Sequence, residues 1–260
     1  MRRHPVPHCF ALLGIVLGAG LSQALAAPDN FDIVGLRLGM TEQQARDAIK
    51  AHNPQLQFKT KTLSYTYSDG VKQHQTAPAL AEIEAVATHQ GVPEYITLRF
   101  SQPPKPARLV GMRRVASLPN PPTHDQMVQA TVQKYGPPAV NRPRDRLNHE
   151  TRLIWIESGK PQCWRTSAKQ VAVFTPASPV LDALKQFAQR QKMGLAPPDL
   201  SQCGAIAQFA ATGDPVSTFT VEMTDTGPWL DTLQATHAWV SGLEAEAKKT
   251  RVGAGTTPKL

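Results

Sequence analysis

Proline falls at nearly one position in eleven of this 260-residue chain, 23 in all. Each proline removes a backbone donor and is poorly tolerated inside a helix or a central strand. Such a density is incompatible with a long helical bundle or coiled coil and predicts many short elements joined by stiff connections. Only 18% of the residues are charged and 41% are hydrophobic, so the composition supports a buried core and excludes global disorder. The length suits one large domain or two small ones.

Residues 1–26 have the composition of an export signal. Arg2 and Arg3 give a positive start, Phe10 to Leu21 form a twelve-residue apolar stretch, and Ala24-Leu25-Ala26 is a small-residue cleavage site. As a helix the apolar stretch covers about 18 Å of a hydrocarbon core of about 30 Å, too little for a membrane anchor. Cys9 precedes the stretch, whereas a lipoprotein needs a cysteine directly after it. The expected mature protein starts at Ala27, is soluble and periplasmic, and has no transmembrane insertion.

Removal of the leader takes away Cys9 and leaves Cys163 and Cys203, an even pair in an oxidising compartment. A structural disulfide is expected, with two free buried thiols as the alternative. Closing a loop of this length is worth about 4 kcal/mol in the chain-entropy model. Trp155 and Trp164 flank Cys163, an arrangement suited to packing on the bridge.

The pattern along the chain gives two stretches that begin alike. A strand-like stretch (Ile33, Leu36, Leu38) closes at Gly39. Thr41, with Gln44 three residues on, then forms a capping box for a helix that Asn53-Pro54 ends. Tyr65, Tyr67 and Asp69-Gly70 suggest a strand entering a turn, Leu80 to Ala87 fits helix or strand, and Tyr95 to Phe100 and Leu109 to Val115 are strands across a proline-rich loop. Thr123 with Gln126 repeats the capping box, and Gly136-Pro137 repeats the stop. Strands are expected at Leu153 to Ile156 and Val171 to Phe174, and a helix from Ser178 toward Gly194. A hairpin should turn at Gly213-Asp214, and a last helix should carry Trp229, Leu233, Val240 and Leu243 near one stripe.

The residues offer little catalytic chemistry. There is no nucleophile elbow, no zinc-binding helix pair, no phosphate-cradling loop and no calcium loop. The histidines at 52, 74, 89, 124, 149 and 237 show no metal-ligand spacing. Glu82 and Glu84 would share a strand face, and Glu244 and Glu246 sit near lysines on the last helix, but neither pair has the environment that splits carboxylate pKa values for acid and base work. No catalytic residue, cofactor or metal is expected.

Charge is more informative. Residues 99–165 carry 12 basic and 4 acidic residues, which exceeds the net charge of +6 of the whole mature chain. A basic middle can face phosphate, lipopolysaccharide head groups or an acidic protein. Nucleic acid is disfavoured by export and by the lack of aromatic-interleaved basic motifs. The candidate contacts are Arg113, Arg114, Arg142, Arg144 and Arg146. Trp229 and Trp239, about 80° apart around the last helix, add Trp239 as a candidate anchor if it is the exposed one.

The run Gly39-Met40-Thr41-Glu42-Gln43-Gln44-Ala45, followed by a helix and Asn53-Pro54, resembles the exported BamE (SmpA/OmlA) and beta-lactamase-inhibitor-protein-like group. Thr123 to Pro137, ending Tyr135-Gly136-Pro137, resembles the same device. The resemblance implies an α+β fold, two similar units of helices packed on antiparallel sheet, working by protein contact. The expected units are 27–118 and 119–247, the second holding the disulfide, with a disordered tail at 248–260. The expected function is a non-enzymatic, periplasmic interaction module for an envelope protein or an anionic envelope component. The alternatives are an envelope hydrolase with an unrecognised site and a chaperone role without a fixed ligand.

Overall fold

A computed structural model describes residues 31–89, 92–144, 149–161, 163, 188–194 and 197–253. The expected leader, Arg146, Trp164, the strand at 171–174 and most of the helix expected from Ser178 lie outside the described residues. The fold is α+β. Its elements in chain order are α1 (Glu42–His52), β1 (Gln57–Leu63), β2 (Thr66–Ser68), β3 (Gln73–Gln75), β4 (Ala79–His89), β5 (Val92–Phe100) and β6 (Leu109–Ser117). There follow α2 (His124–Tyr135), β7 (Val140–Arg142), β8 (Glu150–Ile156), β9 (Ala205–Gly213), β10 (Val216–Asp225) and α3 (Thr226–Gly253).

Eight of the strands form one antiparallel sheet in the order β1-β4-β5-β6-β10-β9-β8-β7, and β2 pairs only with β3. Side chains alternate between the faces of a strand. One face carries Ile83, Ala85, Ile96, Leu98, Met112, Val221, Met223 and Phe209, which form the main core with Ala45 and Ile49 of α1. Met127, Val128, Val132 and Tyr135 bring α2 onto the same core. Phe31 stacks on Tyr135 with ring centres 4.4 Å apart, and Trp155 meets both rings edge-on. The Trp155 Nε1–H donates to the Gly136 carbonyl at 3.1 Å, tying the end of α2 to β8.

Both helices start where the sequence places them. At α1 the Gln44 N–H donates to Thr41 Oγ1 at 3.3 Å, and the Thr41 N–H donates to Gln44 Oε1 at 2.9 Å. At α2 the same two bonds join Gln126 and Thr123, at 3.3 and 3.0 Å. Asn53 is extended before Pro54, as a residue preceding proline must be, and Gly136 ends α2 at a positive φ of 76°.

Four expectations change. Ile33 and Leu36 are not a strand but bond each other across a tight turn, because Gly35 at φ 84° reverses the chain. The ambiguous stretch from Leu80 is strand β4, with Ile83, Ala85 and Ala87 buried in alternation. The expected short elements include one 28-residue helix, α3. Its only proline, Pro228, lies in the first turn, where the missing donor has no intrahelical partner to lose, and no other proline follows before 258. The helix runs past Lys248 to Gly253, which corrects the disordered tail for residues 248–253.

Cys163 and Cys203 are bonded, with Cα atoms 5.5 Å apart across a sequence separation of 40. They belong to a second apolar cluster with Val110, Leu200, Trp229, Leu230 and Leu233. The tryptophan grouped with the bridge is therefore Trp229, while Trp155 lies in the main core. The start of α3 approaches this cluster closely: a Cβ on Gly227 would lie 2.6 Å from the carbonyl oxygens of Ser201 and Cys203, so only glycine fits there. Among the described residues no helix is long and apolar enough to cross a membrane.

Candidate interaction surface

Opposite α1 and α2, strands β1, β4, β5, β6 and β10 turn a second set of side chains outward. The register places Lys59, Glu84, Thr97, Arg113 and Glu222 in one row across these strands, and Lys61, Glu82 and Arg99 in the next. Here a period of two, not sequence proximity, decides which charges meet. Lys61 donates to Glu82 at 2.7 Å and to Glu84 at 2.6 Å, Arg99 donates to Glu82 at 2.9 Å, and Arg113 pairs with Glu222. Burial pushes the Glu82 carboxyl upward, but the bonds from Lys61 and Arg99 outweigh it and hold the group below its ordinary range. The same carboxylates raise Lys61, through hydrogen bonds first and charge second. Glu82 and Glu84, which share a face as expected, are structural ion-pair partners.

On the other side of the Lys59 row lie Val86, Tyr95, Val115 and Thr220, again side by side. Val86 is 39% exposed and Tyr95 47% exposed, although both lie on strands paired on both sides. An apolar strip with an exposed tyrosine, bordered by charged groups, has the anatomy of a contact surface. Tyr95 was legible in the sequence only as a strand residue. The outward half of the Tyr95 to Phe100 alternation was its one available signal.

The sheet's two rims are poorly suited to adding a strand. β1 carries Lys59 and Lys61 and shifts register between Lys61 and Thr62, while β7 has three residues. Edge lysines, bulges and short edge strands all oppose edge-to-edge pairing.

Arg146 lies outside the described residues, and the other four candidate arginines are not gathered into one patch. Arg113 and Arg114 are consecutive on β6 and so point to opposite faces. Arg114 lies on the helix side, where it donates to Glu94 at 2.7 Å and sits 5.1 Å above the Phe219 ring. Arg144 donates to Asp214 at 2.7 Å, beside the β9–β10 turn. Arg142 is partly buried on β7. The excess positive charge of residues 99–165 is thus spread over both faces, and several of its arginines are matched by carboxylates contributed largely from outside that segment. Trp239 is partly buried and meets Tyr65 edge-on with ring centres 6.3 Å apart, while Trp229 is buried.

Two clefts lie elsewhere. A cleft of about 450 Å³ is lined by Tyr67, Asp69, His74, Leu243, Glu246 and Arg251, among others. Asp69 there is held at about 2, because it accepts the Lys72 and Val71 N–H groups at 2.6 and 2.8 Å and then the His74 ring at 3.2 Å. A smaller one, about 170 Å³, borders Glu94 and Arg114. Among the described residues no three His, Cys, Asp or Glu side chains are placed to hold a metal.

No family model matches the chain, and no curated protein or solved structure does.

Proposed function

We propose that this protein works by contact, as a non-enzymatic module that docks a protein partner on the open face of β1, β4, β5, β6 and β10 with Tyr95 as its anchor. The observation that carries this reading is the strip of exposed Val86 and Tyr95 with half-buried Val115, next to the charged rows. A protein suits the face better than an anionic envelope component. Lys61, Arg99 and Arg113 are already matched by Glu82, Glu84 and Glu222, so the face has alternating charge and little field to attract a polyanion. With the leader of residues 1–26, the partner would be an envelope protein met in the periplasm.

The order of elements also supports two similar units. α1 is followed by β1, β4, β5 and β6, and α2 by β7, β8, β9 and β10. The last strand of each set meets the other's in the middle of the sheet, and the first strand of each lies at a rim. A pseudo-twofold axis between β6 and β10 would generate this order, with Thr41 and Thr123 as equivalent caps. It agrees with the BamE-like and beta-lactamase-inhibitor-protein-like resemblance.

A photo-crosslinking residue at position 95 tests the docking face, with position 133 on the exposed side of α2 as control. In envelope extract of the source organism, position 95 should give a discrete protein adduct that position 133 does not. Tyr95→Ala should weaken capture of that protein about 30-fold, the equivalent of a 2 kcal/mol hot spot. Replacing Arg113, Arg114, Arg142, Arg144 and Arg146 with glutamine should weaken it less. The reverse ranking, with capture lost above 0.3 M salt, would return the function to the arginines.

A further inference from the structure

The 28 residues of α3 divide into two halves with different support. Thr226, Gly227, Trp229, Leu230, Thr232, Leu233 and Thr236 are buried, and no residue after Thr236 is. The first half is fixed to the body of the protein: it joins the disulfide cluster, Asp231 pairs with Lys105, and the Thr236 hydroxyl donates to the Pro103 carbonyl at 2.6 Å. The second half, from His237 to Gly253, follows the β2–β3 hairpin. Trp239 meets Tyr65 edge-on, Leu243 and Ala247 face Tyr67 and His74 across the cleft of about 450 Å³, and the Arg251 Nε–H donates to the Asp69 carbonyl at 2.8 Å.

The hairpin is just as dependent. β2 and β3 have three residues each, bond only each other, and take no part in the eight-stranded sheet. Its internal order comes from the Tyr67–His74 stack, 5.3 Å between ring centres, and from Asp69, which closes the turn at Gly70. An isolated two-stranded hairpin is marginal in water, and so is an unsupported helix of this length. Neither element has a core of its own, and the seam between them holds an open cleft rather than close packing.

We infer that the β2–β3 hairpin and the second half of α3 form one latch, which opens and closes as a cooperative unit while the sheet stays folded. Both lie outside the eight-stranded sheet. The hairpin lies in the passage from β1 to β4, and α3 extends past the last strand. Opening releases Tyr65, Tyr67, Trp239 and Leu243 together at one end of the sheet, so this end changes from covered to apolar without loss of the fold.

Native-state hydrogen exchange on the full chain tests this. Ser68→Ala perturbs only the hairpin, because the Ser68 hydroxyl accepts the Gly70 N–H at 3.0 Å and donates to the Lys72 carbonyl at 3.2 Å, both within the turn. Trp239→Ala changes the helix side and removes its ring contact with Tyr65 at the seam. Each substitution should speed exchange at least ten-fold in both segments, 66–75 and 240–251, by a common factor, with β5 and β6 unchanged. Trp239→Phe, which keeps a ring against Tyr65, should restore most of the protection. Acceleration confined to the substituted side would overturn the inference, and so would acceleration that reaches β5 and β6 equally.

Discussion

Glu94→Gln is the most informative single perturbation of the core side. The Glu94 carboxylate lies on β5, is 15% exposed, and meets three residues: His52 of α1 at 2.8 Å, Asn53 after it at 3.5 Å, and Arg114 of β6 at 2.7 Å. Burial raises this carboxyl, but the bonds from His52 and Arg114 outweigh it and hold the group below its ordinary range. Glutamine keeps the shape and removes the charge, leaving Arg114, 21% exposed, over Phe219 without a counter-ion. Fully buried pairs lose 3–5 kcal/mol when one partner goes and exposed ones 0–1, so this partly buried site should lose about 2 kcal/mol. With a urea slope of about 2 to 3 kcal/mol per molar, the unfolding midpoint at pH 7 should fall by about 0.7 to 1 M. Because the folded pKa is depressed, the charged form stabilises the protein above the unfolded value of about 4.3, and that stability is lost as pH falls through the folded pKa. The gap between wild type and variant should therefore be full at pH 7 and shrink below about pH 4. A gap below 0.5 kcal/mol at pH 7, or one of equal size at pH 3, would refute the role given to Glu94.

Thr41→Ala and Thr123→Ala each remove a side-chain acceptor from a complete capping box, and thermal or urea unfolding should show a loss of about 1 kcal/mol apiece. Near-additive losses in the double variant are expected, since the two caps belong to separate helices. Cys203→Ser should cost about 4 kcal/mol in the chain-entropy model and loosen the start of α3, which packs on the same cluster. Thiol titration of the unfolded, unreduced wild-type protein should find no free group at Cys163 or Cys203, and two titrating thiols would contradict the bridge.

Much of the fold was legible because it is written locally. A capping box needs two side chains three residues apart, a proline stop needs one residue and its neighbour, and a buried strand declares itself by alternation. For that reason Thr41, Thr123, Gly136, the β5 and β6 strands and the β9–β10 hairpin stand where the sequence places them. Leu80 to Ala87 was ambiguous because an apolar run of that length serves either state until a neighbouring strand is present to pair with it. The last helix was expected at Trp229 to Leu243, but its full 28 residues were not, because the average density of proline hid a stretch that has none between Pro228 and Pro258.

The surface was not legible, and the reason is geometric. Sequence counts charge by segment, whereas a sheet sorts it by face and register. Arg113 and Arg114, neighbours in the chain, look in opposite directions, and Arg113 finds Glu222 more than a hundred residues away. The sequence by itself determined where helices start and stop, which stretches alternate and which cysteines are left to pair, since each of these depends on residues within a few positions of one another. Tertiary structure alone decided that β6 meets β10, that most of the placed arginines are matched by carboxylates, and that Tyr95 stands exposed beside Val86 and Val115. Those outcomes depend on strand order, which is set by long-range pairing and burial that no local pattern encodes.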